Sequence, residues 1–178
     1  IWWLINMAKD NKINSIKISH VVINIGVGQS GEPLEKAKII IEEICGQKPV
    51  QTYAKKAIRE LGIHEGAPIG VKITLRKQLA TDVLKKLLIA KTNKTSRKSF
   101  DATGNLSFGI AEHIEIPGIK YNPEFGIWGM DVSIALERMG YRVKKRKTRT
   151  SVVGQKQRVT NADAINFAQK ELGVEIED

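Results

Sequence analysis

Four stretches of this chain alternate apolar and polar residues with a period of two, and that alternation restricts its fold more than any other feature. Val21, Ile23, Ile25 and Val27 are separated by Val22, Asn24 and Gly26. Within Gly70–Arg76, Val71, Ile73 and Leu75 are separated by Lys72, Thr74 and Arg76. Leu106, Phe108 and Ile110 repeat the pattern, as do Val132, Ile134 and Leu136 after a Gly- and Pro-containing excursion. Successive side chains of a strand point to opposite faces, so each stretch offers one face to a core and one to solvent. Strands of a doubly wound parallel sheet are covered on both sides and read as apolar throughout. The expected class is therefore α+β: a mainly antiparallel sheet with helices on one face and a polar, basic face left open.

Helical spacing supplies the covering layer. Pro33 suits a first helical turn, Leu34, Ala37, Ile41, Ile44 and Cys45 recur along one stripe, and Gly46 ends it. A short strand is expected around Gln51–Lys55. A second stripe comprises Leu79, Val83, Leu84, Leu87 and Leu88. The polar, basic stretch Lys91–Ser99 reads as a loop that moves when unbound. A last helix opens at Thr160-Asn161-Ala162-Asp163 with capping-box spacing, turns Ala164, Ile165, Ala168 and Leu172 inward, and stops at Gly173. With 178 residues, 42% of them hydrophobic, the chain suits one domain over residues 17–178. Residues 1–16 read as an extension. Its leading IWWLIN, before Met7, is too short for a signal sequence and receives no function.

Charge narrows the partners. The formal net charge is +10 and the isoelectric point about 9.7, which favours a polyanion. Over residues 138–158 the sequence carries Arg138, Arg142, Lys144, Lys145, Arg146, Lys147, Arg149, Lys156 and Arg158, with no acid between Glu137 and Asp163. Positive charge with no neighbouring acid to neutralise it can take phosphates and release their counterions. No apolar run approaches the roughly 20 residues that span a bilayer, so no membrane partner is expected. Cys45 is alone, which excludes an intramolecular disulfide and suits a reducing cytoplasm.

Two chemistries are weighed and set aside. Gly26-Val27-Gly28-Gln29-Ser30-Gly31 is a literal G-x-G-x-x-G between strand and helix. A dinucleotide site needs an acid about 20 residues on, but Gly46–Lys56 has none, and Glu32 and Glu35 sit where a pyrophosphate would lie. His20, His64 and His113 are too scattered for zinc and read as surface residues. Neither a carboxylate pair nor an activated nucleophile stands out. An enzyme, a cofactor, a metal and a small-molecule substrate are accordingly not expected. RNA is the remaining reading: Asn24, Lys72, Thr74 and Arg76 would form one hydrogen-bonding, cationic plate, with Lys48, Lys55, Lys56 and Arg59 extending its rim.

The ordered segments NIGVG, GQKPVQTYAKKAI, GAPIGVKITLR, SFDATGNLSFGI, IPGI and GMDVSIAL resemble one family, the universal large-subunit ribosomal protein "L five", from about Lys17 to Val174. The basic tail resembles its archaeal and eukaryotic branch. The resemblance implies a structural protein of the cytoplasmic ribosome that attaches 5S rRNA in the central protuberance of the large subunit. It implies 5S rRNA contacts at Asn24, Gln47 and Thr74, at Gly26 and Gly28 of the turn, and at the basic neighbours Lys48, Lys55, Lys56, Lys72 and Arg76. It further implies that the loop matching Ala57–Pro68 approaches P-site tRNA through Arg59, Leu61 and His64. Bacterial members usually carry an aromatic residue where Leu61 stands, so no stacking role is carried over. Arg97, Lys98, Arg142, Lys144, Lys145, Arg146, Lys147 and Arg149 are left as contacts to large-subunit rRNA or neighbouring ribosomal proteins, with a small-subunit head protein among the partners. A nucleotide-dependent enzyme using Gly26–Gly31 and a free-standing RNA- or DNA-binding regulator stand as the alternatives.

Overall fold

The computed structural model of the chain describes residues 14–177; the expectation for IWWLIN and Met7 lies outside them. In chain order the elements are β1 (Ile16–Gly26), α1 (Glu32–Cys45), β2 (Val50–Tyr53), β3 (Pro68–Leu75), α2 (Lys77–Ala90), β4 (Lys94–Ser96), β5 (Leu106–Ile110), β6 (Met130–Arg138), α3 (Arg142–Lys145), α4 (Asn161–Glu171) and β7 (Glu175–Glu177). Five strands form one sheet in the order β2-β3-β1-β6-β5, and every neighbouring pair is antiparallel. The fold is α+β, as the alternation requires.

The apolar half of each alternating stretch is buried, except that Val27, past the end of β1, is only partly so: Val21, Ile23 and Ile25 of β1, Val71, Ile73 and Leu75 of β3, Leu106, Phe108 and Ile110 of β5, and Val132, Ile134 and Leu136 of β6. Leu34, Ala37, Ile41 and Ile44 of α1 and Val83, Leu84, Leu87 and Leu88 of α2 close over them in a single core. Each fully buried Leu or Ile contributes roughly 1.5–3 kcal/mol, so one-sided burial fixes the strand register: a one-residue slip would turn the core face to water. Pro33 stands in the first turn of α1, and Gly46 ends it in the left-handed region, its N–H donating to Glu42 O at 2.8 Å. α4 carries the expected capping box, with Thr160 and Asp163 exchanging side-chain-to-backbone bonds of 3.3 and 3.2 Å.

Several local expectations change. Leu79 is 46% exposed, and Ala80 takes its place in the buried stripe of α2, because the helix starts at Lys77 and its phase is set by Ala80, Val83 and Leu84. Ile165 and Leu172 are only partly buried, and Ala164 and Ala168 make the close contact of α4. The second strand is Val50–Tyr53 rather than Gln51–Lys55; its register breaks between Thr52 and Tyr53. Within Lys91–Ser99, Lys94–Ser96 form β4, paired parallel to β7, and Arg97–Ser99 make a 3-10 turn. Thr95 is 3% exposed there. Three residues show no usable period, and their partner strand lies at the other end of the chain, so the sequence reads locally as a loop. His113 is a core residue rather than a surface one: its N–H donates to Trp128 O at 3.1 Å, and its Nδ1 accepts the Trp128 N–H at 3.2 Å.

Candidate nucleic-acid interface

The face of the sheet opposite the helices is built by register. Val50, Lys72, Asn24, Asp131 and Gly109 are successive cross-strand partners from β2 to β5. The next row runs Thr74, Val22, Ser133 and Ser107. Neighbouring strands lie about 4.8 Å apart, so Lys72 and Asn24, and Thr74 and Val22, are side by side. Lys72 and Thr74 are exposed, and Asn24 is half-buried on the central strand. None of these three side chains makes a hydrogen bond or ion pair among the described residues. An exposed polar group whose neighbours leave it unpaired is free to bond a ligand.

The two halves of this face differ. The β3 side is cationic and amide-bearing, whereas the β5–β6 side carries the short exposed residues Ser107, Ser133 and Gly109 and one acid, Asp131. Asp131, Ser107 and Ser133 escape the sequence reading, although the same alternation that marks Val132 and Phe108 as core assigns them to the open face. A carboxylate beside Asn24 tempers the cationic plate and adds an acceptor suited to a hydroxyl.

Around this face the rim is supplied by loops. Gln47 and Lys48 immediately precede edge strand β2, and Lys55 and Lys56 follow it; all four are exposed. The turn after β1 closes on the start of β3: Val27 and Gly28 N–H groups both donate to Ile69 O, at 3.0 and 2.8 Å, and Ser30 Oγ donates to Pro68 O at 2.8 Å. Gly28 has φ +75°, which glycine adopts without a steric penalty. Gly70 is required for a different reason: a Cβ there would stand 2.8 Å from Thr52 Oγ1 and 2.9 Å from Ile25 O. Arg76 is exposed at the end of β3, near His20. Burial lowers the pKa of His20, the charges of Arg76 and Lys145 lower it further, and Glu137 opposes them. The Val21–Leu75 pairing brings Arg76 next to His20, and Lys145 reaches Ser19 Oγ at 3.2 Å, so both cations stand at the same end of β1.

The loop between β2 and β3 closes on itself through Ile58 and Ile63, which exchange backbone bonds of 2.8 and 3.0 Å. Ile63 is its buried anchor, and Arg59, Leu61 and His64 are exposed, Leu61 at 66%. Arg97 and Lys98 are exposed beside edge strand β5, on the opposite border from Lys48 and Lys55, so the fold does not gather them with the Lys72 group.

The basic segment after β6 departs from its expected freedom from neutralising partners. Arg138 pairs with Asp163 at 2.8 Å and donates to Lys156 O at 3.1 Å; Lys145 pairs with Glu137 at 2.6 Å and reaches Ser19 Oγ at 3.2 Å. The two acids that bound the run in sequence are the two that fold back upon it. Arg146 donates to Arg149 O at 2.6 Å and Arg158 to Val153 O at 3.1 Å. Arg142, Lys144, Lys147 and Arg149 are exposed, with side chains that make no ion pair among the described residues.

Geometry disposes of the dinucleotide reading. A phosphate-binding turn of that kind belongs to a parallel β-α-β unit, whereas β1 is antiparallel to both neighbours. Glu32 at the start of α1 is held by Lys36 at 2.9 Å, and the hydrogen bond and charge of Lys36 lower its pKa, so it keeps a negative charge where a pyrophosphate would sit. Cys45 is equally unsuited to chemistry, since burial pushes its thiol pKa up to about 12.

Two family models match the chain: "Ribosomal protein L5" over residues 11–64, and the model for the C-terminus of the same ribosomal protein family over residues 68–167. The large ribosomal subunit protein uL5 of Sulfolobus acidocaldarius is 50% identical over 168 residues, 94% of each chain. Its counterpart in Pyrobaculum aerophilum is 47% identical over 176 residues, covering 99% of this chain and 98% of the relative. The Archaeoglobus fulgidus protein of the same name is 46% identical over 170 residues, 96% and 94% of the two chains.

Proposed function

The chain belongs to the L5 family of large-subunit ribosomal proteins, and from that premise we propose that its open sheet face holds 5S rRNA in the central protuberance. As a member of that family it is a structural constituent of the large subunit, on the ribosome in the cytoplasm, and not an enzyme. The observation that carries the 5S rRNA reading is the cross-strand pairing of Asn24 with Lys72, beside Thr74, with all three side chains unpaired among the described residues. An A-form helix presents a wide, shallow minor groove lined by ribose hydroxyls, which an open sheet face of polar and cationic groups can approach. Lys72, Arg76, Lys48, Lys55 and Lys56 meet phosphates; Asn24, Thr74 and Gln47 position the groove; Gly26 and Gly28 leave the turn open, with nothing within 4 Å of where their Cβ atoms would stand.

Around this contact, the loop bearing Arg59, Leu61 and His64 reaches P-site tRNA, and the exposed cations Arg97, Lys98, Arg142, Lys144, Lys147 and Arg149 serve large-subunit rRNA and neighbouring proteins, a small-subunit head protein among them. Two experiments test the assignment. Asn24→Ala and Thr74→Ala should each weaken 5S rRNA binding by about 1 kcal/mol, near fivefold, with native circular dichroism. Parental affinity for both variants in a filter assay at matched salt would refute the sheet-face reading. Replacing Arg59–Glu65 with a short Gly/Ser linker should spare 5S rRNA binding and weaken tRNA retention on reconstituted ribosomes; unchanged retention would remove the loop from the tRNA path.

A further inference from the structure

Beyond the sheet, the basic segment folds around a cleft of about 940 Å³, bounded by Tyr141 and Lys144 on one side, residues 150–155 on another, and the Ala102–Asn105 turn on the third. Its walls are held in place. Ser151 N–H donates to Val143 O at 3.2 Å, Gln157 Nε2 to Met139 O at 3.0 Å, and Val159 N–H to the Tyr141 hydroxyl at 3.3 Å. The Asp101 carboxylate accepts the Thr103 N–H and hydroxyl and the Asn105 amide, which fixes the turn. Gly104 lets that turn press onto the floor: a Cβ there would lie 2.5 Å from Val159 Cγ1.

The lining is mixed in a particular way. Leu136 and Val159 are buried beneath it, and Val152 at its rim is 77% exposed. Three cations, Lys144, Lys145 and Arg158, line it against one acid, Glu137, which Lys145 already holds at 2.6 Å. Lys144 makes no ion pair among the described residues, and Arg158 uses Nε on Val153 O, leaving its terminal nitrogens for a ligand. Thr150, Ser151 and Gln155 also line the cleft with side chains that make no bond among the described residues.

We infer that this cleft captures a single unstacked nucleotide of ribosomal RNA, its base against Tyr141 and the apolar floor and its phosphate on Lys144 and Arg158. This rests on the chain's place in the large subunit and adds a second, separate RNA contact. An apolar slot with a few polar groups suits a base pulled from its stack, which is how single-stranded RNA is read. The volume lies within the range, roughly 300–1,000 Å³, of sites that enclose small ligands. The surplus positive charge at the mouth selects a phosphate-bearing occupant over a basic protein tail.

Native large subunits irradiated at 254 nm, digested with nuclease and analysed by mass spectrometry provide the test. The expected result is a mononucleotide adduct on Tyr141 or within Thr150–Val153. In binding to large-subunit rRNA, Ser151→Trp, which fills the cleft, should abolish that adduct and weaken affinity about tenfold, the range expected when one base no longer stacks. Lys144→Gln should keep the adduct and lower the log–log salt slope by about 0.7–0.9, one phosphate; an unchanged slope counts against the proposal even if the tryptophan variant fails to fold. Adducts confined to the open sheet face, or a peptide cross-linked at Tyr141, would overturn the cleft and leave the 5S rRNA reading standing. No RNA adduct anywhere on the chain would overturn both.

Discussion

The open sheet face and the basic segment after β6 are both rich in polar and cationic residues, yet they use them in opposite ways. In the sheet, the ladder already satisfies backbone groups, so Asn24, Lys72 and Thr74 are not drawn into bonds among the described residues. The segment 139–158 has no such ladder. Its carbonyls need donors, and basic and amide side chains supply them, some from close by in sequence and some from across the segment: Arg146 serves Arg149 O and Arg158 serves Val153 O, while Gln157 serves Met139 O and Arg138 serves Lys156 O. The carbonyl bonds fix where these cations point without removing their charge; only the ion pairs of Arg138 with Asp163 and of Lys145 with Glu137 take charge away from a partner.

The sharpest way to break this contrast is Arg138→Ala, which removes a largely buried guanidinium from Asp163 and from Lys156 O. We expect a loss of about 2–3 kcal/mol in urea unfolding, charge-assisted bonds being worth that much, with 5S rRNA affinity of the folded fraction unchanged. An equal fall in stability from Lys72→Ala would erase the distinction.

A smaller effect separates cations within the segment itself. Lys144→Gln with Lys147→Gln should flatten the salt dependence of rRNA binding by about 0.7–0.9 in log–log slope for each phosphate no longer neutralised, with unfolding midpoints unmoved. Lys145→Gln should do the converse: the slope stays, and stability falls by up to about 1 kcal/mol, the ceiling for a pair as exposed as Lys145 with Glu137. If Lys145 also moves the slope by a full phosphate, its ion pair opens on RNA binding.

Acidification gives the smallest effect. Burial holds the pKa of His113 below its ordinary value, against the nearby charge of Glu43, a backbone hydrogen bond with Trp128 and the charge of Glu112, all of which favour the charged ring. A histidine neutral in the fold takes up its proton more readily when unfolded, so stability rises with pH in the titration range. It should be constant above the ordinary value near 6.5 and fall as pH drops below it towards the lowered folded value; His20 adds to the same trend. His113→Gln should flatten the profile measured by thermal unfolding, and an unflattened profile would assign it to other groups.

How much of this is legible in the sequence follows from the range of the forces involved. Val71-Lys72-Ile73-Thr74-Leu75 announces its two faces because alternation is a property of neighbours, and that rule alone puts both Asn24 and Thr74 on the open side. That Asn24 stands beside Asp131, and Val22 between Thr74 and Ser133, depends on β1 taking β6 as its second partner, which no local pattern contains. The same is true of Thr95: it is buried because β4 finds β7. His113 gives no signal either, since its partner, the backbone of Trp128, looks like any other backbone. In the basic segment the obstacle is again distance: Glu137 and Asp163 look like the limits of an uncompensated run, and only the fold turns them into its anchors.

The sheet order also has a consequence for synthesis. β1 is made first and lies at the centre, and β3 can complete one of its edges early. The other edge must wait for β6, which begins at Met130, far along the chain from the end of β1 at Gly26. A nascent chain at that stage presents Val21, Ile23 and Ile25 along an unpaired strand edge, the kind of surface that templates aggregation. A cell making this protein in ribosomal quantities has reason to shelter that edge until the second half of the chain emerges.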